Sequence, residues 1–277
     1  MVISDCHLGT GASRAESLLA YLEGIDPEIL VINGDLCDLG MYWRNHWPPL
    51  HREILSRILR FAAEGVQVHY VIGNHDAPIR RFAGMLFDGL HVTDRLHLDL
   101  ESGRTLIVHG DCLDEQLSSR GLTWRLAGWG YDKLINFATD MDRIRAICGL
   151  HPWSLATAIK ARLPGARRYI ERFEQAAAEF AAREGFSTVI CGHIHHPGSR
   201  VVQTIHGPVT YHNTGDWVEH CSALEWDGHS WAQANVPLAL PVTAIPNDRP
   251  RNTTAEIREN VGPSGSRRFE AATLVPG

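Results

Sequence analysis

Five times along this chain a short, β-branched apolar run ends abruptly on side chains that carry charge or bind metals. Val2-Ile3-Ser4 runs into Asp5-Cys6-His7, Ile29-Leu30-Val31-Ile32 into Asn33-Gly34-Asp35, and Val68-His69-Tyr70-Val71-Ile72 into Gly73-Asn74-His75-Asp76. Leu106-Ile107-Val108 ends at His109-Gly110-Asp111, and Val189-Ile190-Cys191 at Gly192-His193-Ile194-His195-His196. Runs of this kind, bounded by Gly, Asn or Asp, are buried strands. Helical patterns separate the early ones: one opens at Ser13 with Glu16 three positions on, a capping box, and another covers roughly 49–64. Strand and helix alternating at this spacing make crossovers and an α/β sandwich. Ligands of such sheets bind beyond the carboxyl ends of the strands, where each of these clusters falls.

Later runs at Val201-Val202, Val209-Thr210-Tyr211 and Ala223-Leu224 predict an antiparallel continuation and so a mixed sheet. Residues 115–185 carry amphipathic helical stretches and no strand pattern, so a helical insertion over one sheet edge is expected there, between core segments 1–114 and 186–237. Residues 238–277, rich in Pro, Ser, Asn and Arg without periodicity, are expected to be a largely disordered tail. Only Met1 to Ser4 precede Asp5, fewer than the five or six residues of an ordinary strand, so residues upstream are expected.

A formal charge of −6 argues against a nucleic-acid binder. No apolar stretch is long enough to span a membrane and no signal peptide precedes the first motif, which predicts a cytoplasmic address. Six cysteines include no Cys-x-x-Cys pair, and Cys6, Cys37, Cys112 and Cys191 read as small buried hydrophobes. The 16 histidines are the compositional oddity, because three of them crowd into residues 193–196. The isolated His46, His51, His69, His91, His97 and His151 are expected on surfaces.

Asp5 and His7 alternate around Cys6, so in an extended chain both leave one face and can grip one ion; His193 and His195 repeat the spacing. Carboxylate, carboxamide and imidazole donors suit Mn²⁺, Fe or Zn²⁺, with Mn²⁺ preferred. Asp5, His7, Asp35, Asn74, His109, His193 and His195 are too many ligands for one ion and divide between two. Asp35, which follows a glycine that permits close backbone approach, is the natural bridge. Such a pair polarises phosphoryl oxygens and activates water for in-line attack.

The ordered set of Asp-x-His, Gly-Asp, Gly-Asn-His-Asp, His and Gly-His-x-His resembles the calcineurin-like metallophosphoesterase superfamily over residues 1 to about 226. The resemblance implies a four-layer αββα sandwich of mixed sheets with a helical lid. It assigns Asp5, His7, Asp35 and His195 to one metal and Asp35, Asn74, His109 and His193 to the other. It gives His75 a catalytic role near the leaving group, oriented by Asp76 or Asp111. The stretches Ile3 to Gly9, Asn33 to Asp38 and Asn213 to Glu219 look like the UDP-2,3-diacylglucosamine diphosphatase branch, whose members release UMP from a lipid-linked nucleotide during lipid A assembly. His75 is the departure, because strict members carry Arg there.

The insertion adds a charge argument. Residues 143–172 hold seven basic side chains, Lys160, Arg167 and Arg168 among them, against Glu171 alone. With Ile144, Ile147, Leu150, Trp153, Leu155 and Ile159 interleaved, and Trp124, Trp129 and Tyr131 upstream, this reads either as a solvated basic face or as a lid meeting substrate phosphates and an anionic membrane surface. Arg80 and Arg81 are further candidates for phosphate contact. The expected function is therefore dinuclear hydrolysis of a lipid-linked nucleotide at the inner face of the cytoplasmic membrane; the alternative is a phosphatase or phosphodiesterase of a soluble ester. A non-catalytic scaffold is disfavoured because no ligand of the set is missing.

Overall fold

The computed structural model describes residues 1–39, 47–113, 164–237 and 256–259. It divides into one compact unit of Met1–Asp111 with Ala177–Gly277 and a second of Cys112–Ala176. In the second, the described residues comprise Cys112, Leu113 and the first turns of a helix, Pro164–Arg183, that runs on into the first.

The first unit is built on two mixed sheets. One has seven strands, in spatial order Trp231–Asn235 (β12), Ser222–Trp226 (β11), Val2–Ile3 (β1), Ile29–Asn33 (β2), Gln67–Val71 (β3), Leu90–Thr93 (β5) and Leu86–Phe87 (β4). The other has six: Glu256–Glu259 (β13), Leu96–Leu100 (β6), Gly103–Ile107 (β7), Thr188–Cys191 (β8), Gly207–Asn213 (β10) and Gly198–Thr204 (β9). Strands β1, β2, β3 and β5 are parallel in one sheet, as are β7, β8 and β10 in the other. The α/β class and mixed sheets expected from sequence are those found. β13 pairs four residues of the expected tail with β6.

Alternation along the strands explains the layers. Val2, Val31, Val71 and Leu224 of one sheet meet Leu96, Leu98, Ile107 and Ile190 of the other in a buried cluster between them. Their neighbours Ile3, Leu30, Ile32, Val68 and Tyr70 point the opposite way. There they meet Leu18 and Leu22 of α1 (Ala15–Gly24) and Ile54, Ile58 and Phe61 of α2 (Pro49–Ala63). A proline opens α2, where its missing N–H has no partner to lose. The predicted cap of α1 is different: Arg14, not Ser13, holds the cap position, and no side chain caps it. The entry is fixed instead by the backbone, with Arg14 N–H donating to Trp217 C=O at 2.7 Å.

Two isolated histidines are buried rather than superficial. His69 lies inside β3, stacked on His91 across the strand pair, and His51 accepts the Gly9 N–H at 2.9 Å. His46 and His151 fall outside the described residues. Cys6, Cys37 and Cys191 are buried as expected, but Cys112 is exposed.

Candidate metal centre

The parallel strands deliver their polar ends to one edge, and the backbone there is unusual. Asp5, His7, Asp35, His193 and His195 all have positive φ, between 47° and 67°. Non-glycine residues in this region are strained by about 1–3 kcal/mol each and persist only where their surroundings hold them. Asp5 N–H donates to Gly34 C=O at 3.1 Å, His7 N–H to Asp35 C=O at 3.0 Å, and Trp217 N–H to Asp5 C=O at 3.1 Å. His193 N–H donates to Asp5 Oδ2 at 3.0 Å. The two-residue spacings therefore converge through left-handed turns, not through the extended chain expected from sequence.

The seven candidate ligands form one connected cluster. Asp5 Oδ1 is 3.1 Å from His195 Nε2, which is 3.2 Å from His7 Nε2. Asp35 Oδ2 is 4.0 Å from His7 Nε2 and 3.3 Å from His109 Nε2. His109 and His193 meet ring to ring at 5.2 Å, and His193 Nδ1 is 3.1 Å from Asn74 Oδ1. Three overlapping sets of donors, Asp5–His7–His195, His7–Asp35–His75 and Asp5–Asp35–His109, are each compact enough for one cation.

The donor atoms fit metal ions on chemical grounds. Asp5 Oδ1 and His109 Nε2 are buried yet make no hydrogen bond of proper geometry, which is uncommon for buried polar atoms. Their close neighbours are other members of the cluster. The second nitrogen of His109, Nδ1, lies 2.8 Å from Asn33 C=O, an orientation that leaves Nε2 facing inward. Burial disfavours charge on Asp35, but His109 beside it holds the carboxyl well below the usual range. Burial likewise opposes charge on His109, yet Asp35 raises it to about 10, so without metal this imidazole is protonated. Burial, reinforced by His195, lowers His7 to about 4.

Glycines make the close approaches possible. Gly34 has φ +82°, and a Cβ there would stand 2.3 Å from His109 Nδ1; one at Gly73 would stand 2.2 Å from Asp35 Oδ1. Gly34→Ala is expected to cost about 3 kcal/mol from strain and overpacking together. Denaturant unfolding of the metal-free protein checks this, and an unchanged midpoint would remove the glycine from the account.

Other predicted residues fall into distinct places. Half-exposed His75 lies edge-on to His7 at 4.8 Å, with Nδ1 3.2 Å from Asp38 Oδ2. The carboxylate that orients it is thus Asp38, not Asp76 or Asp111. Asp76 is buried and accepts the N–H groups of Leu36 and Cys37, at 3.2 and 3.0 Å, fixing the loop that carries Asp35. Asp111 is 3.4 Å from Arg80, whose Nε donates to Asp94 at 2.9 Å. Arg81 is exposed. In the second unit Arg167 is exposed and pairs with Glu171, Arg168 is exposed, and Lys160, Trp124, Trp129 and Tyr131 lie outside the described residues. Sequence reasoning missed Ser4, whose hydroxyl bonds Asp5 Oδ2 and lies 2.5 Å from Thr214 Oγ1. Asp216 accepts the N–H of Val218 at 2.7 Å and pairs with His220, shaping the turn that begins at buried Trp217.

The family described as calcineurin-like phosphoesterase matches residues 1–197. A UDP-2,3-diacylglucosamine hydrolase of Aeromonas salmonicida is 27% identical over 243 residues, 81% of this chain and 88% of that protein. One from Nitrosococcus oceani is 33% identical over 118 residues, 40% of this chain, so the match spans less than half (45%) of that relative. Among solved structures, Yfce, a phosphoesterase from E. coli, is 18% identical over 86% of this chain and 98% of its own, with a TM-score of 0.41.

Proposed function

Because the chain belongs to the calcineurin-like phosphoesterase family and is a metal-dependent phosphohydrolase, we propose that it uses two divalent cations to cleave the pyrophosphate of a lipid-linked nucleotide such as UDP-2,3-diacylglucosamine. The observation that carries the reading is the sharing of Asp5, His7 and Asp35 among three overlapping donor sets. Asp5, His7, Asp35 and His195 would hold one cation, and Asp35, Asn74, His109 and His193 the other. Mixed oxygen and imidazole donors favour Mn²⁺, with Fe and Zn²⁺ as alternatives. Bound there, the cations supply Lewis acidity toward phosphoryl oxygens and ease deprotonation of water. The substrate class rests on the relatives' names and on the motif match.

His75 is the proton donor to the leaving oxygen in this reading. A hydrogen bond to Asp38 raises its pKa and turns Nε2 away from that carboxylate, toward the cluster. Asp38→Asn is therefore expected to lower kcat by about 10–100-fold and move the alkaline limb of its pH profile to lower pH. An unshifted limb would leave Asp38 a packing residue.

The test is incubation of the Mn²⁺-loaded full chain with UDP-2,3-diacylglucosamine and, in parallel, with soluble aryl phosphate esters. UMP release is expected. Turnover of the aryl esters without UMP would replace the lipid-linked nucleotide by a soluble ester, and turnover of neither would remove the hydrolytic reading.

A further inference from the structure

The segment that follows Asn74, His75 and Asp76 has an exceptional surface. A 3₁₀ turn, Ala77–Phe82, leads into the two-residue strand β4, and every residue from Arg80 to Asp88 is exposed. Within it Phe82, Met85, Leu86 and Phe87 are 42, 46, 58 and 44% exposed, four of the seven exposed large hydrophobics among the described residues. Phe82 and Phe87 touch edge to face at 6.0 Å, so the patch is contiguous at its ends. Soluble proteins seldom leave such a cluster in water without a use for it.

We propose that this segment is a hydrophobic wedge that docks the protein on a phospholipid bilayer. The inference rests on the lipid-linked reading of the substrate: acyl chains remain in a membrane, so the metal centre must be brought to its surface. The chain that supplies Asn74 and His75 runs directly into the wedge. Charge does not drive the contact. Arg80 is paired with Asp94 and Asp111, and the rest of the exposed stretch 81–88 carries one cation, Arg81, and one anion, Asp88. Apolar insertion is what remains, beside an exposed Arg81 whose Nε donates to Pro78 C=O at 3.0 Å. A second copy of the chain is the weaker occupant. β4 is the edge of its sheet but offers only two residues to pair, and very short edges are a device against strand-to-strand association.

The wedge and a basic insertion make opposite predictions about salt. Insertion of apolar side chains tolerates high salt and neutral lipid, whereas binding through clustered cations needs anionic lipid and is released by salt. The experiment is flotation of the full chain with phosphatidylcholine vesicles, with and without a share of phosphatidylglycerol, at low and high salt. The same measurements are made on Leu86→Ser/Phe87→Ser, with sedimentation of both proteins and aryl ester hydrolysis as a check on folding. Flotation on both vesicle types that survives salt and falls about tenfold in the variant, with hydrolysis unchanged, supports the wedge. Any of three flotation results overturns it: no flotation of the parent protein, equal flotation of the variant, or binding that requires phosphatidylglycerol and is released by salt. A dimer that the double substitution dissociates also overturns it, because the patch would then be a self-interface. Failure of UMP release with flotation intact would strike the substrate and leave the wedge standing.

Discussion

Asp35→Asn is expected to reduce phosphoester hydrolysis by about a thousandfold or more and to lower the bound metal content, while leaving the fold in place. Asparagine keeps the shape and one oxygen, so His75 N–H, which donates to Asp35 Oδ1 at 2.8 Å, retains an acceptor. What disappears is the negative charge common to His7 and His109. That charge is the link between the two halves of the cluster, and a neutral amide bridges cations poorly. The consequence is visible without turnover: the His109 proton, held to about 10 by Asp35, should come off at lower pH in the metal-free variant. Histidine NMR resonances and metal analysis read the two effects separately. Full activity with a full complement of metal would remove the shared-carboxylate account.

The gathering of the candidate ligands was legible in sequence because two independent signals coincide. Apolar β-branched runs place strand ends, and parallel crossovers bring successive carboxyl ends to one edge; Asp5, Asp35, Asn74, His109 and His193 need little more than this. The local turn chemistry was not legible. Asp5, His7, Asp35, His193 and His195 adopt left-handed backbone although none is glycine, and that choice is forced by tertiary hydrogen bonds such as His193 N–H to Asp5. Propensity contains no record of such partners. Asp38 was similarly ambiguous. Its position three residues after Asp35 offered a clue, but the pairing with His75 comes from the turn that follows β3, far along the chain.

Element detection failed where the pattern was half polar. Leu96-His97-Leu98-Asp99-Leu100 alternates strictly, and β6 buries Leu96 and Leu98 between the sheets, a strand signal overlooked because the run is not wholly apolar. β4 carries no such signal: its two residues are exposed, and only pairing with β5 defines it. His69 misled in the opposite direction. Imidazole is usually superficial, yet the alternation of β3 turns it inward with Val71, and stacking on His91 accommodates it.

Removing metal is expected to make stability fall as pH rises, and adding it to reverse that trend. The folded pKa of His109, about 10, lies above its unfolded value, so its contribution is complete below about 6.5 and is lost as pH climbs through 10. His75, raised by Asp38, contributes with the same sign, and Asp38→Asn removes its share alone. Half-buried His97 and buried His212, both lowered to about 4, finish titrating below this window, as does His7. A cation seated on His109 Nε2 must displace the proton, so apparent affinity should rise up to about tenfold per pH unit between 7 and 9. The gap in melting temperature between Mn²⁺-loaded and chelator-treated protein should therefore widen across that range. Calorimetric titration in buffers of different ionisation enthalpy should count about one proton released per protein near neutral pH. A constant gap with no proton release would mean that His109 is neutral before metal arrives, and its pairing with Asp35 would then need another explanation.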